Sequence, residues 1–186
     1  MFDLGVEPEF VGIDTANPNC VVIGDAAEHF TYENCNRAFQ ALLDIQERTK
    51  QKAELITMGL GRFYQEKGKL VIDVGAYAKA LEYAADCRVT VLGKPAQEYF
   101  HQALGVVQQE FGGDFGAEDT VMIGDDLMGD VGGAQKVNMR GILLRTGKFR
   151  AGRDDCSDKV KPDAIVDNFS AAIDLILKTN ETLKGC

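Results

Sequence analysis

The order of the predicted elements limits most strongly what this chain can fold into. From about residue 75 onward, short apolar runs alternate with stretches of helical periodicity. Strands that alternate with helices in this way pair in parallel, because each crossover helix returns the chain to the same edge of the sheet. The sequence therefore predicts an α/β fold with a parallel sheet and helices on both faces. Ligands of such sheets bind beyond the carboxyl ends of the strands.

Buried strands are predicted wherever a short apolar run is closed by turn residues. In the first half of the chain, Lys67-Gly68-Lys69 predicts the tight turn of a β-hairpin. The predicted strands are residues 19–25, 55–58, 89–92, 120–123, 141–144 and 164–166.

Capping residues and helical spacing predict the helices. Thr31 is predicted to cap one helix, Pro95 to begin another and Ser170 to cap the last. A short helix is predicted from about Asp130, and the charge-rich residues 47–52 favour a solvated loop. The helix after Pro95 is predicted to bury Phe100, Leu104 and Val107.

The composition favours a folded protein that binds neither nucleic acid nor a membrane. Hydrophobic residues make up 45% of the chain, and no apolar run reaches the about 18–20 residues that a membrane helix needs. Residues 1–7 lack the basic flank of a signal peptide. A net charge of −9 repels phosphodiester backbones, but a bound metal would still permit a small phosphorylated substrate. We therefore expect a cytoplasmic protein, with the nucleus as a second compartment.

Several common kinds of site are not supported by the sequence. The five cysteines are widely spaced and include no C-x-x-C pair, so neither a disulfide framework nor a zinc site is expected. His29 and His101 stand alone, and no serine lies in a G-x-S-x-G elbow. The glycines do not form the G-x-G-x-x-G pattern of a dinucleotide site.

Lys94 directly follows a predicted strand and precedes Pro95. A lysine held there, beside the free N–H groups of a helix N-terminus, favours binding of a phosphate. A surface lysine in an ordinary turn is an equally supported alternative.

A cluster of acids follows the strand over residues 120–123. Asp125, Asp126 and Asp130 place three carboxylates within six residues, and these repel one another unless a cation gathers them. Hard oxygen ligands of this kind suit Mg²⁺. The alternative is that Asp130 caps a helix and the other two are solvated, which explains one aspartate well and three poorly. We therefore predict all three as metal ligands, with Mg²⁺ as the cofactor.

Both strand ends resemble motifs of the haloacid dehalogenase (HAD) superfamily. Val91-Leu92-Gly93-Lys94-Pro95 resembles its third motif, and residues 121–135, with Gly124-Asp125-Asp126 and Asp130, resemble its fourth. Further segments narrow the resemblance to the capped subclass IIA. They are residues 14–22, 30–33, 73–75, 80–84 and 145–150.

The resemblance implies a Rossmann-like core with an inserted α/β cap. Residues 1–75 would be part of the cap, and residues 76–186 the C-terminal part of the core. It also implies a Mg²⁺-dependent phosphatase for small phosphorylated compounds, pyrophosphate or phosphorylated amino acids, which forms a homodimer through the cap.

The resemblance also implies a role for each site residue. Lys94 matches the lysine that neutralises the nucleophile and the transferred phosphoryl group. Asp125 matches the direct metal ligand, Asp130 the acid that supports the metal site, and Asp126 a weaker neighbour. These are the parts that phosphoryl transfer needs, because its catalysis is mostly positioning and charge neutralisation.

The family's first motif, D-x-D at the end of the first core strand, is absent from this sequence. Asp14, Asp25 and Asp73 are each followed two residues later by a residue other than aspartate. By the resemblance the chain starts inside the cap, and the Ser or Thr of the second motif is missing as well. A metal and a lysine without a nucleophile form no phosphoaspartate, so we expect no catalytic nucleophile and no activity from the chain as written. The alternative is a non-catalytic relative that retains its cap to form dimers.

Overall fold

The structure is a computed structural model that describes residues 12–13 and 16–184, with side chains described up to residue 179. The sequence features on residues 1–11, Asp14, Thr15 and Cys186 lie outside the described residues. The strands are β1 (Cys20–Ile23), β2 (Glu54–Thr57), β3 (Phe63–Glu66), β4 (Lys69–Ile72), β5 (Arg88–Val91), β6 (Val121–Gly124), β7 (Arg140–Leu144) and β8 (Ala164–Val166). The helices are α1 (Tyr32–Thr49), α2 (Val74–Ala85), α3 (Gln97–Phe111), α4 (Gly132–Gln135) and α5 (Phe169–Lys184).

The contacts divide the chain into two compact units, residues 1–94 and 95–186. In the first unit, β1, β2 and β5 form a parallel sheet in that order, and β3 and β4 form an antiparallel hairpin. Ile23 lies opposite Thr57, which in turn lies opposite Val91, so the three parallel strands end at the same edge. The core lies between this sheet and the apolar faces of α1 and α2.

Helix α1 shows how the sequence sets an element of this unit. Oγ1 of Thr31 accepts the N–H of Asn34 at 3.1 Å, which confirms the predicted cap. The solvated loop predicted over residues 47–52 is wrong in its first half, because α1 continues through Thr49. Arg48 lies in this last turn and donates to Oδ1 of Asn17 and to the carbonyl of Pro18. The charged residues therefore lie on the exposed end of an amphipathic helix.

The predicted hairpin is confirmed between β3 and β4. Lys67 and Gly68 occupy its two turn positions with φ of 49° and 76°. A two-residue turn with positive φ at both positions matches the right-handed twist of the flanking strands.

The second unit is built on a parallel sheet in the order β6, β7, β8. Helix α3 buries Phe100, which is 2% exposed, but Val107 is 42% exposed and the prediction that it lies in the core is wrong. The prediction that this helix begins at Pro95 is wrong by two residues. The helix begins at Gln97, and Pro95 lies in the preceding turn. Asn168, and not Ser170, caps α5, since Oδ1 of Asn168 accepts the N–H of Ala171 at 3.0 Å.

The predicted α/β fold is confirmed by these two parallel sheets. The contacts divide the chain after Lys94 rather than at residue 75, because β5 pairs with β2 of the first unit. The assignment of cap and core on either side of residue 75 stays a prediction. None of the helices in the described part of the chain combines the length and the apolar character that a membrane-spanning helix requires.

Candidate functional site

Lys94 lies just beyond the carboxyl end of β5, in the first unit. Its carbonyl oxygen accepts the N–H of Leu60 at 3.1 Å, so the main chain at Lys94 is fixed to the segment that follows β2. Gly93 lies against the carbonyl of Met58, where a Cβ atom would overlap it. The strand end therefore holds Lys94 at the sheet edge where ligands of parallel sheets bind.

The three predicted metal ligands all lie in the turn that follows β6, in the second unit. Asp126 caps this turn, since its Oδ1 accepts the N–H groups of Met128 at 3.1 Å and Gly129 at 2.8 Å. The turn is a single turn of π-helix, Leu127–Val131, that continues into α4. The alternative that Asp130 caps the helix is therefore wrong, because the helical turn begins before Asp130.

Asp130 is buried beneath the turn, with 3% of its surface exposed. Its Oδ2 accepts the backbone N–H of Asp126 at 3.1 Å. A Cβ atom on Gly124 would overlap the Asp130 carboxylate, so β6 must end in a glycine to make room for it. The end of the strand and the buried acid therefore fit together.

Asp125 is held by the loop that follows the neighbouring strand, β7. Its Oδ2 accepts the backbone N–H of Lys148 at 2.8 Å. The ammonium group of Lys148 lies 3.2 Å from Oδ2 of Asp126, with the two side chains 21% and 24% exposed. One residue of this loop thus contacts two of the three acids.

Sequence reasoning missed this contribution of the loop over residues 145–150. Asp154 stabilises the end of this loop. It is 7% exposed, and its Oδ2 accepts the backbone N–H of Arg150 at 2.8 Å. The position of the loop in the sequence could have indicated this role. Gly147 and Lys148 follow the carboxyl end of the buried strand β7, where ligands of parallel sheets bind.

The carboxylates of the three acids accept hydrogen bonds from different backbone N–H groups. Within residues 12–13 and 16–184, no three His, Cys, Asp or Glu side chains come together as a group that could hold a metal ion. Mg²⁺ sites, however, commonly take one or two protein carboxylates and fill the remaining positions with water and phosphate. Asp125, fixed through one oxygen, and the buried Asp130 fit the protein part of such a site.

The roles predicted for Lys94, Asp125, Asp126 and Asp130 stay predictions. Lys94 belongs to the first unit and the acids to the second. Each half is well fixed at the carboxyl edge of its own sheet.

Comparison with known proteins identifies the family. A family model described as HAD-hydrolase-like matches residues 91–172. The phospholysine phosphohistidine inorganic pyrophosphate phosphatase of Homo sapiens is 49% identical over 174 residues, which cover 94% of this chain and 60% of that protein. The human haloacid dehalogenase-like hydrolase domain-containing protein 2 is 43% identical over 173 residues, which cover 92% of this chain and 61% of that protein.

A solved structure is similar to this chain in fold. The 4-nitrophenylphosphatase from Thermotoga maritima matches with a TM-score of 0.65 and 25% identity, over 84% of this chain and 54% of that chain. The chain thus spans about 60% of the length of the curated relatives that it matches. The family model, the sequence identity and the fold together show that this chain belongs to the haloacid dehalogenase superfamily.

Proposed function

We propose that this chain provides the cation-binding and phosphate-binding part of a Mg²⁺-dependent phosphatase for small phosphorylated compounds. The observation that carries the proposal is the turn after β6, in which Asp125 and the buried Asp130 are fixed at the carboxyl end of a parallel sheet. The names of two similar proteins supply the reaction class. The human protein that is 49% identical to this chain and the Thermotoga protein are both called phosphatases.

Each site residue has a distinct part in this proposal. Asp125 would bind the cation directly, and Asp130 would hold the turn in place from its buried position. Asp126 would serve the helix cap and not the cation, because Oδ1 accepts two backbone N–H groups and Oδ2 meets the Lys148 ammonium. Lys94 would pair with the phosphoryl group of the substrate. When bound, Mg²⁺ would neutralise charge on that phosphoryl group.

The proposed substrates follow from the name of the human phospholysine phosphohistidine inorganic pyrophosphate phosphatase. Pyrophosphate, phospholysine and phosphohistidine are small and anionic, and each presents a terminal phosphoryl group. The net charge of −9 on the chain makes a local cation and Lys94 the groups that would attract them.

We also propose that this chain alone binds phosphate without hydrolysing these substrates. Not one aspartate in the sequence is followed two residues later by another aspartate, so the 186 residues contain no D-x-D motif. Phosphoryl transfer through a phosphoaspartate needs the attacking carboxylate that this motif supplies in the family.

The test separates binding from turnover. The chain is titrated with Mn²⁺, a paramagnetic substitute for Mg²⁺, and binding is followed by electron paramagnetic resonance. Inorganic phosphate is then added to the Mn²⁺-loaded chain to measure phosphate binding. In a separate assay with Mg²⁺, the release of phosphate from pyrophosphate and from p-nitrophenyl phosphate is measured. We expect Mn²⁺ binding that Asp125→Asn abolishes, phosphate binding that Lys94→Ala weakens, and no release of phosphate. The matched controls are Asp174→Asn and Lys136→Ala, both at exposed positions of the second unit.

Two results would contradict these proposals. Absence of Mn²⁺ binding by the wild-type chain would reject the cation site. Rapid Mg²⁺-dependent phosphate release that disappears in both Asp125→Asn and Lys94→Ala would reject the proposed lack of hydrolysis and keep the site.

A non-catalytic role in self-association is the second candidate, and one observation favours it. The hairpin of the first unit exposes Leu70 and Ile72, which are 48% and 61% exposed and two residues apart on β4, so they lie on one face. Exposed apolar pairs of this kind suit a protein interface. Light scattering should then give a dimer for wild type and a monomer for Ile72→Lys, and a wild-type monomer would reject this role.

A further inference from the structure

We propose that the peptide joining Gly147 to Lys148 is the positioning element for the cation-binding carboxylate of Asp125. This inference rests on the proposed function, because it takes Asp125 as the direct ligand of the cation. It assigns a role to main-chain atoms of a loop that follows β7, outside the acidic turn itself.

The pairing of two strands brings this peptide to the acid. Strands β6 and β7 are parallel neighbours, and Gly124 at the end of β6 lies opposite Leu143. The segments that leave the two strands therefore emerge side by side. Asp125 is the first residue after β6, and its Oδ2 accepts the N–H of Lys148 at 2.8 Å.

Gly147 gives this peptide its direction and its closeness to the acid. Its φ is +47°, a backbone conformation that residues with a side chain rarely adopt. A Cβ atom at Gly147 would also overlap the carboxylate of Asp125. Any other residue here would have to change the direction of the Lys148 N–H, displace Asp125, or do both.

The loop is rigid enough to fix the carboxylate. The N–H of Phe149 donates to the carbonyl of Thr146 at 2.9 Å, which closes the turn around Gly147 and Lys148. Phe149 packs against the buried cluster of Leu127, Val131 and Leu143. Since this donor on the loop holds Oδ2 of Asp125, it restricts the rotation of the carboxylate and leaves Oδ1 as the oxygen that would bind the cation.

The side chain of Lys148 has a different task. Its ammonium group lies 3.2 Å from Oδ2 of Asp126, which also caps the helical turn. The main chain and the side chain of one residue thus serve two carboxylates. Variants can separate the two contacts, because a change at the side chain leaves the N–H in place.

The experiment measures Mn²⁺ affinity of the full chain by electron paramagnetic resonance, with folding checked by circular dichroism. Gly147→Ala should weaken Mn²⁺ binding about tenfold or more, the range found when groups that orient a ligand are lost. Gly152→Ala is the matched control, because Gly152 also lies between β7 and β8 and has φ of +74°, but has no atom within 4 Å of an added Cβ. Its Mn²⁺ affinity should equal that of wild type.

Lys148→Met tests the side chain alone. It keeps the N–H and removes a positive charge, so Mn²⁺ should bind no more weakly than to wild type. A tenfold loss in Lys148→Met that Lys148→Arg restores would assign the effect to the positive charge of the side chain and overturn the proposal.

A second measurement does not depend on whether the glycine variant folds. In ¹H–¹⁵N spectra of wild type titrated with Mg²⁺, the Lys148 amide should show one of the largest shift changes, and Asp125→Asn should remove that response. An unchanged Lys148 amide, or a folded Gly147→Ala with wild-type Mn²⁺ affinity, would overturn this inference alone. A wild-type chain that binds no Mn²⁺ would overturn the proposed function and this inference with it.

Discussion

Two hydrogen bonds of opposite direction join Asp126 and Asp130. Oδ2 of Asp130 accepts the N–H of Asp126 at 3.1 Å, and the N–H of Asp130 donates to the carbonyl of Asp126 at 2.8 Å. Together they lock the turn that follows β6. The backbone of the turn therefore fixes Asp126 and Asp130, and Asp130 contributes to stability as well as to the proposed site.

Replacement of Asp130 should destabilise the second unit. Asp130→Ala removes the acceptor for a partly buried N–H, so the free energy of unfolding should fall by about 1–3 kcal/mol. Asp130→Asn retains an oxygen acceptor and should cost less. Urea denaturation followed by circular dichroism measures both. The control is Asp174→Ala at an exposed position of α5, which should stay within about 0.5 kcal/mol of wild type; a loss in Asp130→Ala no larger than this would contradict the assigned role.

The helix cap at Asp126 predicts a second difference between two variants. Asp126→Ala loses the bonds to Met128 and Gly129 and should lower the free energy of unfolding by about 0.5–2 kcal/mol. Asp126→Asn can form the same cap, because Asn and Asp are nearly equal as caps. Asp126→Asn loses only the negative charge that faces the Lys148 ammonium group. This ion pair is partly exposed, so it contributes less to the free energy of unfolding than the cap does. Equal destabilisation by Asn and Ala would show that the charge, and not the cap, is the stabilising feature.

The strands could be predicted from the sequence, whereas among the helix starts only that of α1, at Thr31, was predicted correctly. Each predicted parallel strand is present with bounds within two residues of the prediction, as for β6 at Val121–Gly124. Buried strands are short apolar runs with turn residues at their ends, which makes them local features. Several residues near a helix start can act as its cap. After β6 the cap is Asp126 and not Asp130, because Asp130 is buried in the space that Gly124 leaves open.

The acids of the candidate site could be found because they are neighbours in sequence, and the loop that holds them could not. Gly147 and Lys148 meet Asp125 only because β6 and β7 pair in parallel, which no local pattern specifies. The helical spacing of Phe100 and Val107 was likewise misleading, since it predicts a face without showing how wide the buried part of that face is.

Helix α3 therefore predicts unequal costs for two truncations. Phe100 is 2% exposed and packs with Ala134, Val137 and Met139, so Phe100→Ala should lower the free energy of unfolding by about 3–5 kcal/mol. Val107→Ala, at a 42% exposed position, should change it by less than about 0.5 kcal/mol. Thermal and urea unfolding of both variants give the comparison. A cost at Val107 close to that at Phe100 would show that the outer face of α3 is covered in solution.

Cys156 predicts a pH-dependent reactivity. The negative charge of Asp155, and a hydrogen bond with it, raise the pKa of this exposed thiol above its ordinary value, with a smaller contribution from Asp158. Only the thiolate reacts with iodoacetamide. A raised pKa leaves less thiolate at pH 8, so Cys156 should be alkylated more slowly than a free cysteine.

Asp155→Asn removes the main cause of the raised pKa and should speed the reaction, while Asp158→Asn, the matched control, should speed it less. Mass spectrometry of the Cys156 peptide, sampled from pH 7 to 10, should show the rate curve of Asp155→Asn displaced toward lower pH. A curve that coincides with wild type would mean that the carboxylate does not act on the thiol.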